Sequence, residues 1–288
     1  MTRRQWLGAI PAIGLAPLAA APAENGKARF RSAICAYSFR DALQKKTMTY
    51  DDLVRMSVDL GVDGLDLTVY WFPDTSDSFL LPLRRLAYKS AVEIYSISVR
   101  TEMTRATPEQ RKAEVEQIHK WVDVADKLGA GHIRVFGGNV PKGASEDSAA
   151  GWVVEVLKPA AQYAGTKGII LGLENHGGIT SQADRIVDIV KRVDSPWLGI
   201  NLDTGNFRTD SYNQIAKCLP HAVNVQLKAE IRGSDGAAQP SDWERLIGMF
   251  AKSAYKGYLA LEYEAKEAAA VAVPRLIKNL QGILRNYA

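Results

Sequence analysis

The sequence predicts a single-domain, closed (β/α)8 barrel. Short apolar segments alternate with segments of helical periodicity, and this alternation recurs eight times beyond residue 30. The apolar segments read as strands buried on both faces, which belong to parallel sheets covered by helices. Eight such units in about 250 residues match the size of a closed barrel. A doubly wound open sheet is the competing fold, but no glycine-rich phosphate loop follows the first strand.

The predicted elements follow in chain order. The eight strands are expected over 32–39, 64–71, 94–100, 132–137, 169–174, 198–203, 222–228 and 258–264. Apolar residues three and four positions apart, such as Val115, Ile118 and Val122, predict the helices between them. The capping residues predict helix starts at Thr107-Pro108-Glu109 and Ser241-Asp242-Trp243-Glu244, and helix ends at Gly61, Gly129 and Gly168. The last helix is expected over 271–286.

The first residues predict an export signal. Arg3 and Arg4 precede an uncharged stretch over 8–22, which is the layout of a twin-arginine signal. The stretch is too short and too interrupted by proline to cross a bilayer as a helix. The alternative is a chance arginine pair in a cytosolic protein. We expect a signal peptide over 1–23, a barrel domain over 24–288, a periplasmic or secreted location, and no membrane association after cleavage.

The composition argues against several partners. The formal charge is +4 and falls to +2 without Arg3 and Arg4, too little to indicate a nucleic-acid or anionic-membrane surface. The two cysteines, Cys35 and Cys218, lie in apolar stretches and do not make a disulfide framework. We therefore expect a small-molecule partner, with a homo-oligomer left open.

Polar residues end each of the last four predicted strands. The segment GIILGLENHGG, over 168–178, is small or apolar until Glu174, Asn175 and His176. Residues two apart share a face of a strand, which groups Glu174 with His176, Asn201 with Asp203, Asn224 with Gln226 and Lys228, and Glu262 with Glu264. Chemistry in such barrels lies at the C-terminal ends of the strands, so these side chains are expected at one mouth.

Carboxylates that converge on one mouth repel each other unless positive charge lies among them. Lys228, Arg232 or Arg134 could supply part of that charge, and a divalent metal would supply it more completely. The predicted metal ligands are Glu174, Asp203, Glu262 and the carbonyl oxygen of Gln226. An almost all-oxygen shell favours Mn²⁺, with Mg²⁺ or Co²⁺ as alternatives, over Zn²⁺.

Four segments carry a resemblance to a known family: ICAYSF, LGVDGLDL, LGAGHIRVFGG and LALEYE. With these, the chain resembles the sugar phosphate isomerase/epimerase superfamily of xylose isomerase-like barrels. The resemblance implies a metal held by Glu, Asp, His and Glu at the ends of strands five to eight, with the two Glu moving a proton. These positions match Glu174, Asp203, Gln226 and Glu262, where Gln226 replaces the usual His.

The resemblance also implies substrate contacts. Arg232 falls where epimerases place an Arg near the substrate, Lys228 keeps a basic position, and Asn206 stands where many members carry a His. We expect Lys228, Arg232, Asn206 and Arg134 to bind substrate. His176 is expected to shuttle a proton or donate to the substrate, and Gly177 and Gly178 to let the backbone turn without blocking the site. Aromatic residues could line a sugar site or simply pack the core: Tyr37, Phe39, Tyr70, Trp71 and Phe136.

The expected function is a metal-dependent isomerase or epimerase acting on a sugar or keto-sugar. It would work through an enediolate, with Glu174 and Glu262 as acid and base. One alternative is a lyase or hydrolase-like enzyme on 3-keto-glycosides. Another is a non-catalytic sugar-binding barrel that has lost its metal, which Gln226 and Asn206 permit. An endonuclease of the abasic-site type is disfavoured by the four histidines and the small net charge.

Overall fold

The computed structural model describes residues 29–287, so the predicted signal peptide lies outside the described residues. The strands are β1 (Phe30–Cys35), β2 (Gly64–Thr68), β3 (Glu93–Ser98), β4 (His132–Phe136), β5 (Ile170–Glu174), β6 (Leu198–Asp203), β7 (Ala222–Leu227), β8 (Glu230–Arg232), β9 (Ala238–Pro240) and β10 (Gly257–Leu261). Eight of them form a closed parallel barrel in the order β1-β10-β7-β6-β5-β4-β3-β2, which confirms the predicted fold.

Nine α-helices follow the strands within the described part of the chain. They are α1 (Arg40–Gln44), α2 (Tyr50–Leu60), α3 (Asp77–Lys89), α4 (Pro108–Leu128), α5 (Glu146–Thr166), α6 (Ala183–Val193), α7 (Ser211–Cys218), α8 (Trp243–Ala251) and α9 (Ala269–Leu284). The predicted boundaries at α4 are confirmed: Thr107 Oγ1 accepts from the amide of Gln110 at 3.3 Å, and Gly129 ends the helix at φ +79°. None of these helices is long and apolar enough to span a membrane.

The first two strands end earlier than the sequence predicts. β1 stops at Cys35 and β2 at Thr68, and each continues as one 3₁₀ turn, over Ala36–Phe39 and Val69–Trp71. The pattern of apolar residues cannot distinguish these 3₁₀ turns from strands, because the aromatic residues of the turns also pack against the protein, at the barrel rim. The turns place Tyr37 and Tyr70 at the mouth, with their ring centroids 6.4 Å apart.

Polar side chains fill the barrel interior below the mouth and form one chain of hydrogen bonds. Tyr95 Oη donates to Asn224 Oδ1 (3.2 Å), and Asn224 Nδ2 donates to Asn201 Oδ1 (2.8 Å). Asn201 Nδ2 donates to Gln226 Oε1 (2.8 Å), and Gln226 Nε2 donates to Asp66 Oδ2 (3.1 Å). Every residue of this chain is buried, so these bonds offset the cost of burying five polar groups.

A small hairpin extends the wall after β7. β8 and β9 pair antiparallel, from Glu230 opposite Pro240 to Arg232 opposite Ala238. This hairpin includes much of the Gly- and Ser-rich stretch over 233–241, which the sequence predicts as a loop on the active-site side. Cys35 and Cys218 are buried free thiols, as predicted.

Candidate active site

Lys228 is the centre of a buried ionic cluster at the C-terminal ends of the strands. Its Nζ lies 2.8 Å from Glu262 Oε1, 2.6 Å from Glu264 Oε2 and 3.2 Å from Asp203 Oδ2. The Lys228 backbone is fixed on both sides, because its amide donates to Thr204 Oγ1 and its carbonyl accepts from Trp243 Nε1, each at 2.9 Å. The cluster therefore has its positive charge at a defined position.

Arg134 forms the second ion pair of the mouth. Its Nε lies 2.9 Å from Glu174 Oε2, and both side chains are buried. Arg134 Nη1 also donates to Tyr70 Oη (3.0 Å) and to the carbonyl of Val99 (2.9 Å). The other Glu174 oxygen, Oε1, accepts from Asn206 Nδ2 at 2.9 Å. Glu174 is therefore held from both sides by side chains on other strands and loops.

The ionisation of the carboxyls differs across the cluster. Burial, together with repulsion from Asp203 and Glu262, raises the pKa of Glu174 well above its usual value, although Arg134 opposes the rise. Burial likewise raises the pKa of Asp203 to about 7. Glu262 is buried too, but Lys228 and Arg134 hold its pKa below the usual range. The pKa values of Glu174 and Glu262 are thus shifted in opposite directions, as those of the acid and the base of a proton-transfer site are.

Three carboxylates also act on Lys228 itself. Burial alone would lower the pKa of the ammonium group, but Asp203, Glu262 and Glu264 hold it well above the usual value. Lys228 is therefore a permanent cation in this site. Because a buried charge is only weakly screened by solvent, it acts strongly on any group that enters the neighbouring cavity.

The predicted metal ligands do not fit a metal in this arrangement. Gln226 is fully buried below the mouth, and its Oε1 already accepts from Asn201. Lys228 Nζ lies between two of the other ligands, Asp203 and Glu262. Within residues 29–287, no group of three or more His, Cys, Asp or Glu side chains is placed to hold a metal ion. Metal binding by these residues stays a prediction that the donor geometry does not support.

A cavity of about 130 Å³ opens above the cluster. Its lining includes predicted site residues and aromatic side chains: Glu174, His176, Asn206, Lys228, Glu262, Arg134, Tyr37, Tyr70 and Phe136. Asp203 and Gln226 lie beneath this cavity instead of lining it. Of the other aromatic candidates, Phe39 is buried in the core, and Trp71 stacks on Tyr37 with centroids 6.0 Å apart.

His176 lies beside the ring of Phe136, with centroids 4.0 Å apart. Partial burial of the imidazole, reinforced by the charge of Arg134, lowers the pKa of His176 to about 4. The side chain is therefore neutral at neutral pH and can donate or accept a hydrogen bond. The following glycines turn the backbone away at positive φ, +107° at Gly177 and +52° at Gly178.

Two further cavities adjoin the central one. A cavity of about 240 Å³ shares Asn206, Lys228, Glu262 and Glu264 with it and is also lined by Arg232 of the hairpin. A larger cavity of about 500 Å³ shares Arg100, Phe136 and His176 with it. The three cavities thus lie side by side at the barrel mouth, and together they are lined by more residues than the site that the sequence predicts.

The sequence interpretation missed two charged residues, Asp66 in the barrel interior and Arg100 at the mouth. Asp66 is fully buried, and its Oδ1 accepts from Ser96 Oγ (3.0 Å) and Ser98 Oγ (2.8 Å). The sequence feature that could have identified Asp66 is an acid at an inward-facing position of the otherwise apolar strand GLDLT. Arg100 was also missed; its guanidinium lies over the Tyr70 ring at 4.2 Å.

The fold is that of the xylose isomerase-like barrels, and comparisons with known proteins support this class. The profile of the xylose isomerase-like TIM barrel family matches residues 54–283, so the chain belongs to this family. No curated protein has a matching sequence.

Several solved structures share the fold. A D-psicose 3-epimerase from Clostridium cellulolyticum H10, with D-tagatose, has a TM-score of 0.71 at 16% identity, over 89% of this chain and 99% of its own. A xylose isomerase-like TIM barrel protein from Mycobacterium smegmatis in complex with magnesium has a TM-score of 0.68 at 19% identity, over 90% and 97%. A xylose isomerase domain protein from Planctomyces limnophilus has a TM-score of 0.68 at 14% identity, over 92% and 99%. At these identities the likeness establishes the fold.

Proposed function

We propose that this protein is a sugar isomerase or epimerase that moves a proton next to a carbonyl group. The observation that carries the proposal is that Glu174 and Glu262, from different strands, line one cavity together. Each carboxyl is paired with its own buried cation, Arg134 for Glu174 and Lys228 for Glu262. A barrel that only binds sugar has no need of two carboxyls in one cavity whose pKa values are shifted in opposite directions.

The proton transfer uses the two carboxyls in sequence. Ionised Glu262 removes the proton from the carbon next to the carbonyl, and the C–H electron pair forms the enediolate. Glu174, in its protonated form, returns a proton to the opposite face of that carbon, or to the neighbouring carbon while the hydroxyl proton of the enediolate moves from one oxygen to the other. The first outcome is epimerisation and the second is aldose–ketose isomerisation. His176 and Asn206 line the same cavity and can hold substrate hydroxyls.

A carbohydrate suits this cavity because aromatic and polar groups line it together. Tyr37, Tyr70 and Phe136 offer ring surfaces for the C–H faces of a sugar, while Arg134 and Asn206 offer donors. The fold neighbours include a D-psicose 3-epimerase and a D-tagatose 3-epimerase-like protein, which supports the same substrate class.

Solvent isotope exchange tests the proposal directly. Free aldoses, ketoses and keto-sugars are incubated with the protein in D2O, and deuterium at carbon is read by NMR. We expect incorporation with wild type and a loss on the order of 10²–10⁴-fold in Glu262→Gln and Glu174→Gln. Glu244→Gln, at an exposed residue of α8, is the matched control. Sugar binding without exchange in any substrate would favour a non-catalytic sugar-binding barrel.

The larger cavity favours a second candidate function on 3-keto-glycosides. About 500 Å³ of space adjoins the proposed reaction site through Arg100, Phe136 and His176. A free monosaccharide in the central cavity leaves this space unused, whereas a glycoside would place its second unit there. Proton abstraction from C2, next to the 3-keto group, would give an enolate. Its electron pair would form the C1=C2 bond as the C1–O bond to the aglycone breaks, and Glu174 in its protonated form would protonate the leaving oxygen. Chromatographic detection of released aglycone separates this lyase or hydrolase-like reaction from epimerisation.

A further inference from the structure

The three carboxylates around Lys228 are not equivalent. The side chains of Asp203 and Glu262 are 0% and 9% exposed, whereas that of Glu264 is 41% exposed. Asp203 is fixed further, because its Oδ1 accepts from the amide of Gly205 at 2.8 Å and its own amide donates to Asn175 Oδ1 at 2.9 Å. Lys228 therefore has two fixed, buried carboxyl partners and one partner at the cavity surface.

We propose that the Lys228 ammonium supplies, in place of a divalent cation, the positive charge that stabilises the substrate's developing oxyanion. In this proposal the substrate oxygen displaces the Glu264 carboxylate from Lys228 Nζ. The inference rests on the proposed function, since it assigns the electrostatic part of that reaction.

The hydrogen-bonding capacity of Lys228 supports an exchange of partners. An ammonium group has three N–H donors, and three carboxylate oxygens lie within 3.2 Å of Nζ. Two of these oxygens, Glu262 Oε1 and Glu264 Oε2, accept hydrogen bonds from Nζ. Glu264 is the partner that solvent reaches, so a substrate oxygen entering from the cavity takes its place at Nζ. Its Oε2, 2.6 Å from Nζ, marks where an anionic oxygen is held next to the cavity.

The position of Lys228 suits this role in the proton transfer. When Glu262 takes the proton, the C–H electron pair becomes the new C=C bond and the carbonyl π pair moves to oxygen. That oxygen gains its charge beside a fixed cation, which is how preorganised electrostatics lower such barriers. Gly205 allows the close packing of Lys228, because a Cβ there would lie 2.6 Å from Lys228 Cγ and 2.8 Å from the Glu230 carbonyl.

The polar interior explains why Gln226 does not contribute to a cation site. Both ends of its amide are used inside the barrel, by Asn201 on one side and Asp66 on the other. Turning the amide toward the mouth would leave both partners without these bonds, at a cost of about 1–3 kcal/mol for each buried group. The fourth ligand of the predicted metal shell is therefore committed elsewhere.

A metal titration tests the proposal without any substrate. Mn²⁺ is added to chelator-treated wild-type protein, and free Mn²⁺ is followed by electron paramagnetic resonance. We expect no saturable site in wild type and a new one-equivalent site in Lys228→Met, where three carboxylates lose their cation. Lys217→Met removes an exposed lysine paired with Asp184 and should create no such site. One equivalent of Mn²⁺ bound by wild type would overturn the proposal, and this arm needs no variant to fold.

The exchange assay separates failure of this inference from failure of the proposed function. We expect wild-type exchange to persist in EDTA and to fall on the order of 10²–10³-fold in Lys228→Met. Glu264→Gln should lower KM more than it changes kcat, because a neutral amide competes less well for the ammonium. If EDTA abolishes the exchange and Mn²⁺ restores it, the proposed role of Lys228 is refuted, whereas the assignment of the protein as an isomerase still stands. If no sugar incorporates deuterium, the isomerase assignment fails. The Mn²⁺ titration still decides whether Lys228 occupies the position that a divalent cation would take.

Discussion

Gln226 Nε2 lies 3.1 Å from Asp66 Oδ2, across the interior of the barrel. This contact turns a residue at a predicted ligand position into the last link of the hydrogen-bond chain that begins at Tyr95. Burial raises the pKa of Asp66, while the positive charge of Arg134 and the hydroxyls of Ser98 and Ser96 oppose the rise. Gln226, which the sequence predicts as a metal ligand, is therefore part of the hydrogen-bond chain inside the barrel.

Removing this link should destabilise the barrel. Gln226→Ala leaves Asp66 and Asn201 buried without their amide partner, and we expect a loss of about 2–4 kcal/mol in the free energy of unfolding. Urea denaturation followed by circular dichroism measures it. Gln239→Ala, at an exposed residue of β9, should stay within about 0.5 kcal/mol of wild type. Equal stability of the two variants would show that the hydrogen-bond chain contributes little.

The loop after β5 depends on Gly178. Its φ is +52°, and an added Cβ would lie 2.3 Å from the Gly138 carbonyl oxygen and 3.0 Å from Asn139 Cα. Gly178→Ala should therefore shift this loop and lower both thermal stability and exchange activity. Gly143→Ala has a comparable backbone strain, at φ +85°, but no atom within 4 Å of the new Cβ. If both variants melt at the same temperature, backbone strain alone explains the cost.

His132 should make the protein less stable in mild acid. Burial, reinforced by Arg134, lowers the pKa of His132 from 6.5 to about 3, and its Nδ1 lies 2.8 Å from Ser96 Oγ. At a pH between these two pKa values, the unfolded chain binds a proton at His132 that the folded protein does not bind. The stability of the folded protein therefore falls as the pH drops. From this group alone, we expect about 2 kcal/mol less stability at pH 5 than at pH 7.5.

The variant His132→Gln isolates this effect. Other buried carboxyls, such as Glu174 and Asp203, have raised pKa values and act in the opposite direction. The difference between wild type and His132→Gln at each pH removes their contribution. Parallel stability curves for the two proteins, measured by urea denaturation from pH 5 to pH 7.5, would contradict the prediction.

The larger cavity should matter more for glycosides than for free sugars. Asn139 and Gln117 line that cavity and not the central one. Replacing either by Ala should lower kcat/KM for a keto-glycoside relative to kcat/KM for the matching free keto-sugar, by about tenfold for a lost pair of hydrogen bonds. An unchanged ratio would indicate that the second unit does not occupy this cavity.

We also propose that Arg3 and Arg4 direct export through the twin-arginine pathway. The paired variant Arg3→Lys with Arg4→Lys should keep the protein in the cytoplasm, whereas wild type reaches the periplasm with its N-terminus at Glu24. Cell fractionation and N-terminal sequencing measure both outcomes. Equal distribution of wild type and variant would favour a cytosolic protein with a chance arginine pair.

The sequence alone determined the barrel and the strand ends that form its mouth. Eight doubly buried apolar segments separated by helical periods leave few folds open, and alternation along β5 identified Glu174 as an inward-facing residue. These are local properties, because the repeat of a strand or helix is present in the chain itself. The positions of Glu262 and Lys228 followed from the same rule, one residue beyond the observed strands.

Only the tertiary structure decided how the charged groups pair. Lys228 contacts Glu262 and Glu264, which are more than thirty residues away in sequence, and Gln226 bonds Asp66 across 160 residues. Alternation along a strand predicts which face of the sheet a side chain is on. It does not predict how deeply the polar group is buried or which partner it pairs with. Those choices follow from the closure of the barrel, because closure brings distant strands together and requires every buried charge and amide to find its partner there.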